Sequence, residues 1–272
     1  MPSSLFTGQT AIVTGAATGI GFGIARYLVE QGATVVLNDI DPAAAADAVD
    51  ELNSTGPGTA FPFVGNAGEV DFVYRLVDYA AGLEDTTLSM IVANAGLTEF
   101  GDFFEFSEDS FDRLTALNLK GTFFLVQAAA RHFRREGTAG RIVLIGSNVG
   151  NRAYPDLGAY GMSKAGIAML AQQLTLDLAP LGITINCVAP GAVLTERTEK
   201  EEPDYAGIWA TLNPVGRVGL PADVAAAVGF LLGPGGGHIS GQQLLVDGGW
   251  SAYAASPQFV DRIREGAKKP HI

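Results

Sequence analysis

Apolar residues fall along this chain in short blocks. Seven runs, at 10–13, 34–38, 60–64, 88–93, 141–145, 183–188 and 243–246, are dominated by aliphatic and aromatic residues and have the length of strands. Between them apolar residues recur every three or four positions, as in Phe22, Ile24, Ala25, Leu28 and Val29, the spacing of a helix with one buried face. Near-continuous apolar strands alternating with amphipathic helices predict parallel strands covered on both faces. The expectation is an α/β fold, a doubly wound parallel sheet of about seven strands with helices on both faces, in a single domain. Two helical stretches, about 110–135 and about 159–179, carry more apolar residues than one stripe can bury, which points to a subunit interface. The uncharged stretch 224–246 does not read as a membrane span, because Pro234 and the glycines at 235 to 237 break it into a short helix, a turn and a strand.

The first run ends in Thr14-Gly15-Ala16-Ala17-Thr18-Gly19-Ile20-Gly21, and the first helical pattern begins directly after it. Glycines let a backbone approach a phosphate closely, and the first N–H groups of a helix point at an anion with the positive end of the dipole behind them. Strand, glycine turn and helix in this order suit a pyrophosphate. The spacing, with three residues between Gly15 and Gly19, departs from the dinucleotide fingerprint that has one. A glycine turn that merely packs a helix onto a sheet is the alternative. The second run leads into Asp39, 24 residues after Gly15, where a ribose arrives. A carboxylate there accepts bonds from both ribose hydroxyls and repels a 2′-phosphate, and Ala17, Thr18 and Ile40 supply no cation, which favours NAD over NADP. Asp39 also suits a plain strand-end turn.

Ser147 follows the fifth run, Tyr160 lies 13 residues later and Lys164 four beyond that. Residues four apart share a helix face, so the Lys164 ammonium lies beside the Tyr160 phenol if the segment after Gly158 is helical. A neighbouring ammonium favours the phenolate and makes Tyr160 a usable general base. The hydroxyl of Ser147 both donates and accepts, which suits an oxygen that changes from alcohol to carbonyl. Tyr and Lys four apart are common on solvated helices, and Ser147 can be a simple cap. The pair gains meaning from what surrounds it.

What surrounds it resembles the short-chain dehydrogenase/reductase family, over about residues 5–249. The glycine loop, Asn94-Ala95-Gly96, Asn118 in Leu-Asn-Leu-Lys, Ser147, Tyr160 with Lys164, Pro190-Gly191 followed by Thr195, Gly216-Arg217 with Asp223, and Asp247-Gly248-Gly249 occur in that family's order. The resemblance implies a Rossmann-type fold and hydride transfer between nicotinamide, of NAD on the reading of Asp39, and a secondary alcohol or its carbonyl. It implies Tyr160 as acid/base, Ser147 as orienter of the substrate oxygen, Lys164 also on the nicotinamide ribose, and Asn118 in a water-linked proton relay to Lys164. It implies that Gly15, Thr18, Gly19, Ile20, Gly21, Asp39, Ile40, Asn94, Ala95 and Gly96 hold the adenosine and pyrophosphate. Tyr160, Lys164, Pro190, Gly191, Val193 and Thr195 then hold the nicotinamide end. One position departs: where the family usually has Asp before a small apolar residue to read adenine, this chain has Asn66-Ala67, which loses a charge and keeps a carbonyl acceptor. A homotetramer built on the two long helices is implied as well.

Composition narrows the picture. A chain of 272 residues, 47% hydrophobic and 17% charged, has material for one large domain. A formal charge of −12 disfavours nucleic acid and anionic membranes, which are gripped mainly by Lys and Arg. The first eight residues show neither a basic n-region nor an apolar h-region, so a cytoplasmic protein is expected. Cys187, the one cysteine, reads as a small core residue, and with three scattered histidines no metal site is expected.

The substrate is written in the least regular segments. Residues 195–214, acidic at first and then aromatic at Tyr205 and Trp209, correspond to the family's mobile substrate lid. Beside Ser147 stand Asn148, Val149, Asn151, Arg152 and Tyr154; the candidate substrate residues are Ser147, Asn148, Val149, Arg152, Tyr154 and Trp209. Residues 250–272 extend past the family's usual end, and Trp250, Tyr253 and Phe259 are apolar enough to dock on the domain or a neighbouring subunit. These features look most similar to sugar and polyol dehydrogenases, such as those oxidising aldoses at carbon 1. A 3-oxoacyl-carrier reductase or other ketone reductase of the family is the alternative, and a catalytically silent NAD-binding sensor is the alternative of another class.

Overall fold

Every apolar run becomes a strand in the computed structural model, which describes residues 4–253. The order is β1 (Gln9–Thr14), α1 (Gly19–Glu30), β2 (Thr34–Asp39), α2 (Pro42–Leu52), β3 (Thr59–Val64), α3 (Val70–Ala81) and β4 (Thr87–Ala93). Then come α4 (Glu108–Thr115), α5 (Thr122–Glu136), β5 (Arg141–Ile145), α6 (Gly158–Leu178) and β6 (Thr184–Pro190). The chain goes on through α7 (Glu196–Glu201), α8 (Tyr205–Ala210), α9 (Pro221–Leu232) and β7 (Gln243–Val246). The lid segment thus carries two short helices. Stretch 224–246 is broken as expected, by a turn at Pro234–Gly236, and no helix among the described residues is long and apolar enough to cross a membrane.

All strand pairings are parallel, in the order β3-β2-β1-β4-β5-β6-β7. Alternate side chains of each strand feed two cores. Ala11, Val13, Val35 and Leu37 pack with α1, α2 and α9, whereas Ile12, Val36, Ile142 and Leu144 pack with α3, α5 and α6. An irregularity in register between Thr10 and Ala11, opposite Leu88 and Met90, turns Leu88 to the second core while Met90 faces the first. Cys187 is fully buried in the second core, and burial pushes its thiol up to about 11. The strand order reverses direction between β1 and β4, and a crevice opens there beyond the carboxyl ends of the strands.

The long helical stretch begins at Glu108, capped by Ser107, and is not uniform. Between α4 and α5 the segment Ala116–Gly121 is π-helical, and it turns Asn118 into the interior. Such bulges insert a residue that the regular helix has no room to aim inward. α6 buries Ser163, Lys164, Ile167, Ala168 and Ala171 against the sheet and leaves Met162, Met169 and Leu176 exposed.

Candidate active site

A cleft of about 880 Å³ runs along the strand ends, from Asp39 and Asn66 at one side to Tyr205 and Trp250 at the other. Its centre is the switch point. The backbone N–H groups of Asn94 and Ala95 donate to Thr14 Oγ1 (3.1 and 3.0 Å), and Asn94 Nδ2 donates to the carbonyls of Thr14 and Gly15 (2.9 and 2.8 Å). Gly15 has φ +59°, and a methyl there would stand 2.9 Å from the Cα of Ala95, so the loop tolerates only glycine at this crossing. The first turn of α1 has no side-chain cap at Thr18, and Thr18, Gly19, Ile20 and Gly21 line the cleft. Uncapped N–H groups with the helix dipole behind them fit a pyrophosphate. Asp39 lines the same wall, and its carboxylate accepts from the N–H groups of Ala17 (3.1 Å), Ile40 (2.8 Å) and Asp41 (3.2 Å). It therefore holds the glycine loop against β2 besides lining the cleft. This end of the cleft fits a nicotinamide dinucleotide.

Beyond the switch point the chemistry-bearing side chains meet. Ser147 ends the β5 segment, and its Oγ accepts from Val149 N–H at 3.2 Å. Tyr160 and Lys164 lie one turn apart on α6, with Lys164 Nζ 5.7 Å from the centre of the Tyr160 ring. Lys164 is buried, it lines the cleft, and its Nζ donates to the Ile145 carbonyl at 2.8 Å. Asn118 lies behind this group and does not line the cleft. Its Oδ1 accepts from Leu97 N–H (2.8 Å), and its Nδ2 donates to Leu97 O (3.0 Å) and Ser163 Oγ (3.1 Å). The Ser163 hydroxyl donates in turn to the Tyr160 carbonyl at 2.7 Å. Asn118 thus binds the segment after β4 to the helix that carries Tyr160 and Lys164.

The structure brings Gly15, Thr18, Gly19, Ile20, Gly21, Asp39, Ile40, Asn66, Ala67, Asn94, Ala95, Gly96, Pro190, Gly191, Val193 and Thr195 to this one cleft. Ser147, Asn148, Val149, Tyr154, Tyr160, Lys164 and Trp209 line it too. Arg152 does not: its guanidinium donates to the Ser251 carbonyl at 2.7 Å, turned away from the substrate space that the sequence suggests for it. Asn151 is likewise spent, on Gln243 at 2.9 Å. Thr195 shares a capping box with Thr198 at the start of α7. Sequence reasoning missed Ser163, whose only signal was its place between Tyr160 and Lys164, and it missed Leu97, Phe100 and Leu157 on the cleft wall. Trp250 lines the cleft, and Tyr253 donates to the Leu212 carbonyl at 2.9 Å, which ties the chain after β7 to the end of the lid. Phe259 lies outside the described residues.

Replacing Ser163 by Ala leaves a buried N–H of Asn118 without an acceptor, a loss of about 1–3 kcal/mol. Urea titration should show that loss, and kcat should fall with it; an unchanged midpoint would remove the clamp from the account.

The family model described as enoyl-(acyl carrier protein) reductase matches residues 15–251. A versicolorin reductase of Emericella nidulans is 38% identical over 89% of this chain and 95% of its own length. A probable tetrahydroxynaphthalene reductase of Zymoseptoria tritici is 33% identical over 90% of this chain and 96% of its own. Among solved structures, a short-chain type dehydrogenase/reductase from Mycobacterium marinum superposes with a TM-score of 0.85 at 29% identity, over 92% of this chain and 98% of that one. With the glycine loop, the Ser147, Tyr160 and Lys164 cluster and the seven-stranded parallel sheet in one molecule, the chain belongs to the short-chain dehydrogenase/reductase family of oxidoreductases.

Proposed function

We propose that this protein is an NAD(H)-linked oxidoreductase that interconverts a ketone and a secondary alcohol on a flat, ring-bearing substrate. An aromatic wall carries the reading. Trp209 stacks on Tyr154 (6.5 Å, 24°), touches Tyr205 (5.9 Å) and meets Trp250 edge-on (6.3 Å). These rings come from the segment after β5, from α8 and from the segment after β7, and they line one cleft with Leu97, Phe100, Val149 and Leu157. Apolar walls with a few polar groups select flat apolar ligands. The relative named for tetrahydroxynaphthalene, a fused pair of aromatic rings, supports the same reading. A sugar or polyol finds fewer partners, since Arg152 and Asn151 are spent on the protein itself. The acyl-carrier reading has the matched family's description in its favour, but Arg197 is paired with Glu201, and Glu196 is left at the cleft to disfavour an anionic carrier.

The bound nicotinamide supplies or accepts the hydride. Ser147 and Tyr160 hold the substrate oxygen between them, and the Tyr160 hydroxyl gives its proton to that oxygen in reduction and recovers it in oxidation. Lys164, braced on Ile145, balances the phenolate. A side chain at Gly96 would come within 3.2 Å of Asn118 Oδ1 and 3.3 Å of Lys164 Nζ. Glycine at this position keeps a side chain from crowding Asn118 and Lys164, which agrees with the relay that the resemblance implies. Burial pushes the Tyr205 phenol up to about 12, so it stays a donor at working pH and can bind a second oxygen on the substrate. Asp39, with no cation at Ala17, Thr18 or Ile40, supports NAD. Met162, Met169 and Leu176, exposed on α6, support the tetramer that the resemblance implies. The intact set of Ser147, Tyr160 and Lys164 argues against a silent sensor.

Absorbance at 340 nm tests the reading on a panel of cyclic and aromatic ketones, small aliphatic ketones, aldoses, polyols and 3-oxoacyl thioesters, with each cofactor. Turnover of cyclic and aromatic ketones with NADH supports it, and turnover confined to sugars or acyl thioesters overturns it. Tyr160→Phe should lower kcat roughly 10²–10⁴-fold and leave NADH binding intact; equal turnover would point to a sensor. Trp209→Ala should raise KM for ring-bearing ketones by about tenfold or more and spare small aliphatic ones. Asp39→Asn keeps one oxygen, for Ile40 and Asp41 or for Ala17 but not for both, and removes the charge, so the NADPH to NADH activity ratio should rise about five- to tenfold. An unchanged ratio would take Asp39 out of cofactor choice.

A further inference from the structure

The adenine end of the cleft is built differently from what Asn66 alone suggests. The dinucleotide reading sets a direction: pyrophosphate at the start of α1, ribose at Asp39 on β2, and adenine one strand further out, at the end of β3. Residues 65–69 line the cleft there. The π-helical segment backs this shelf, because a methyl on Gly121 would run into the Ala67 carbonyl and one on Gly68 would stand 3.4 Å from the Ala116 carbonyl. The carbonyl of Asn66 is already engaged: Oδ1 accepts from Gly68 N–H at 2.9 Å. Its Nδ2 donates to Glu69 Oε1 at 3.4 Å. That leaves one N–H of the Asn66 amide available beside an exposed carboxylate, which is not capping the helix it precedes. A donor next to an acceptor complements the amino group and adjoining ring nitrogen of adenine, the pattern by which an amide side chain reads that base elsewhere. Hypoxanthine carries an oxygen where adenine carries the amino group and sets acceptor against acceptor.

We propose that Asn66 and Glu69 act together as the adenine reader of this cleft, with Glu69 accepting from the 6-amino group and Asn66 Nδ2 donating to the ring nitrogen beside it. Glu69 supplies the carboxylate that Asn66 lacks, three residues on from where the family resemblance looks for it. The assignment rests on the dinucleotide reading and deepens it. Calorimetry of NADH and of reduced nicotinamide hypoxanthine dinucleotide, the 6-oxo analogue, tests it by binding alone. The wild-type protein should bind NADH on the order of tenfold tighter than the analogue. Glu69→Ala should weaken NADH several-fold and relieve the analogue of the acceptor facing its oxygen, so that the preference collapses, whereas Glu69→Gln, whose carbonyl can still accept, should keep most of the NADH affinity. Equal wild-type affinity for the two dinucleotides, or a preference that survives Glu69→Ala, overturns the assignment while leaving the cofactor reading intact. Failure of wild type to bind either one overturns both.

Discussion

Four hydrogen bonds join Thr14 and Gly15 at the end of β1 to Asn94 and Ala95 at the end of β4. The rest of the site depends on them. Chains leave β1 and β4 toward opposite halves of the sheet, and without a tie the crevice at the switch point would have no fixed width. The bonds bring Gly15 so near Ala95 that neither backbone can shift without the other. One half of the cleft then inherits the uncapped start of α1, and the other inherits the segment after β4 that Asn118 grips. Cofactor and chemistry share one reference point.

The second half is held by burial rather than by the sheet. Lys164 is a cation in a nearly closed place, a costly arrangement unless its protons are engaged, and the Ile145 carbonyl engages one of them. Asn118 reaches the same helix only because the π-helical turn aims it inward, where each of its polar atoms finds a partner. An irregular turn in a long helix thereby ties together the segment after β4, the π-helical turn and α6. Tyr160 and Lys164 sit on a long helix, and the other aromatic residues of the cleft sit on loops and short helices around them.

How much was legible in the sequence follows from this division. Strands, the glycine loop and the Tyr160 to Lys164 spacing were readable, because each rests on local chemistry: apolar periodicity, a backbone that must pass a phosphate, and two residues one helical turn apart. Element boundaries came within a residue or two for the same reason. Ser163 was not readable, since its meaning lies in a partner 45 residues away. Arg152 misled because a charged residue beside Ser147 carries no mark of where its long side chain goes, and it goes to Ser251. Asn66 carries more than the sequence shows: its carbonyl also accepts from Gly68 N–H, which closes a turn. The aromatic wall was half visible. Trp209 and Tyr205 stood out as lid aromatics, but only folding brings Tyr154 and Trp250 to them.

Cys187 lies beneath this machinery, fully buried, and a methyl on Gly146, next to Ser147, would stand 2.6 Å from its sulfur. As the single thiol of the chain, it gives the protein an internal clock. A thiol reagent can reach it only when the sheet under the cleft opens, locally or with the whole fold, so the rate of alkylation counts openings of that region. Any ligand that holds the cleft closed slows that clock, and its binding can be timed without a chromophore, a label or turnover.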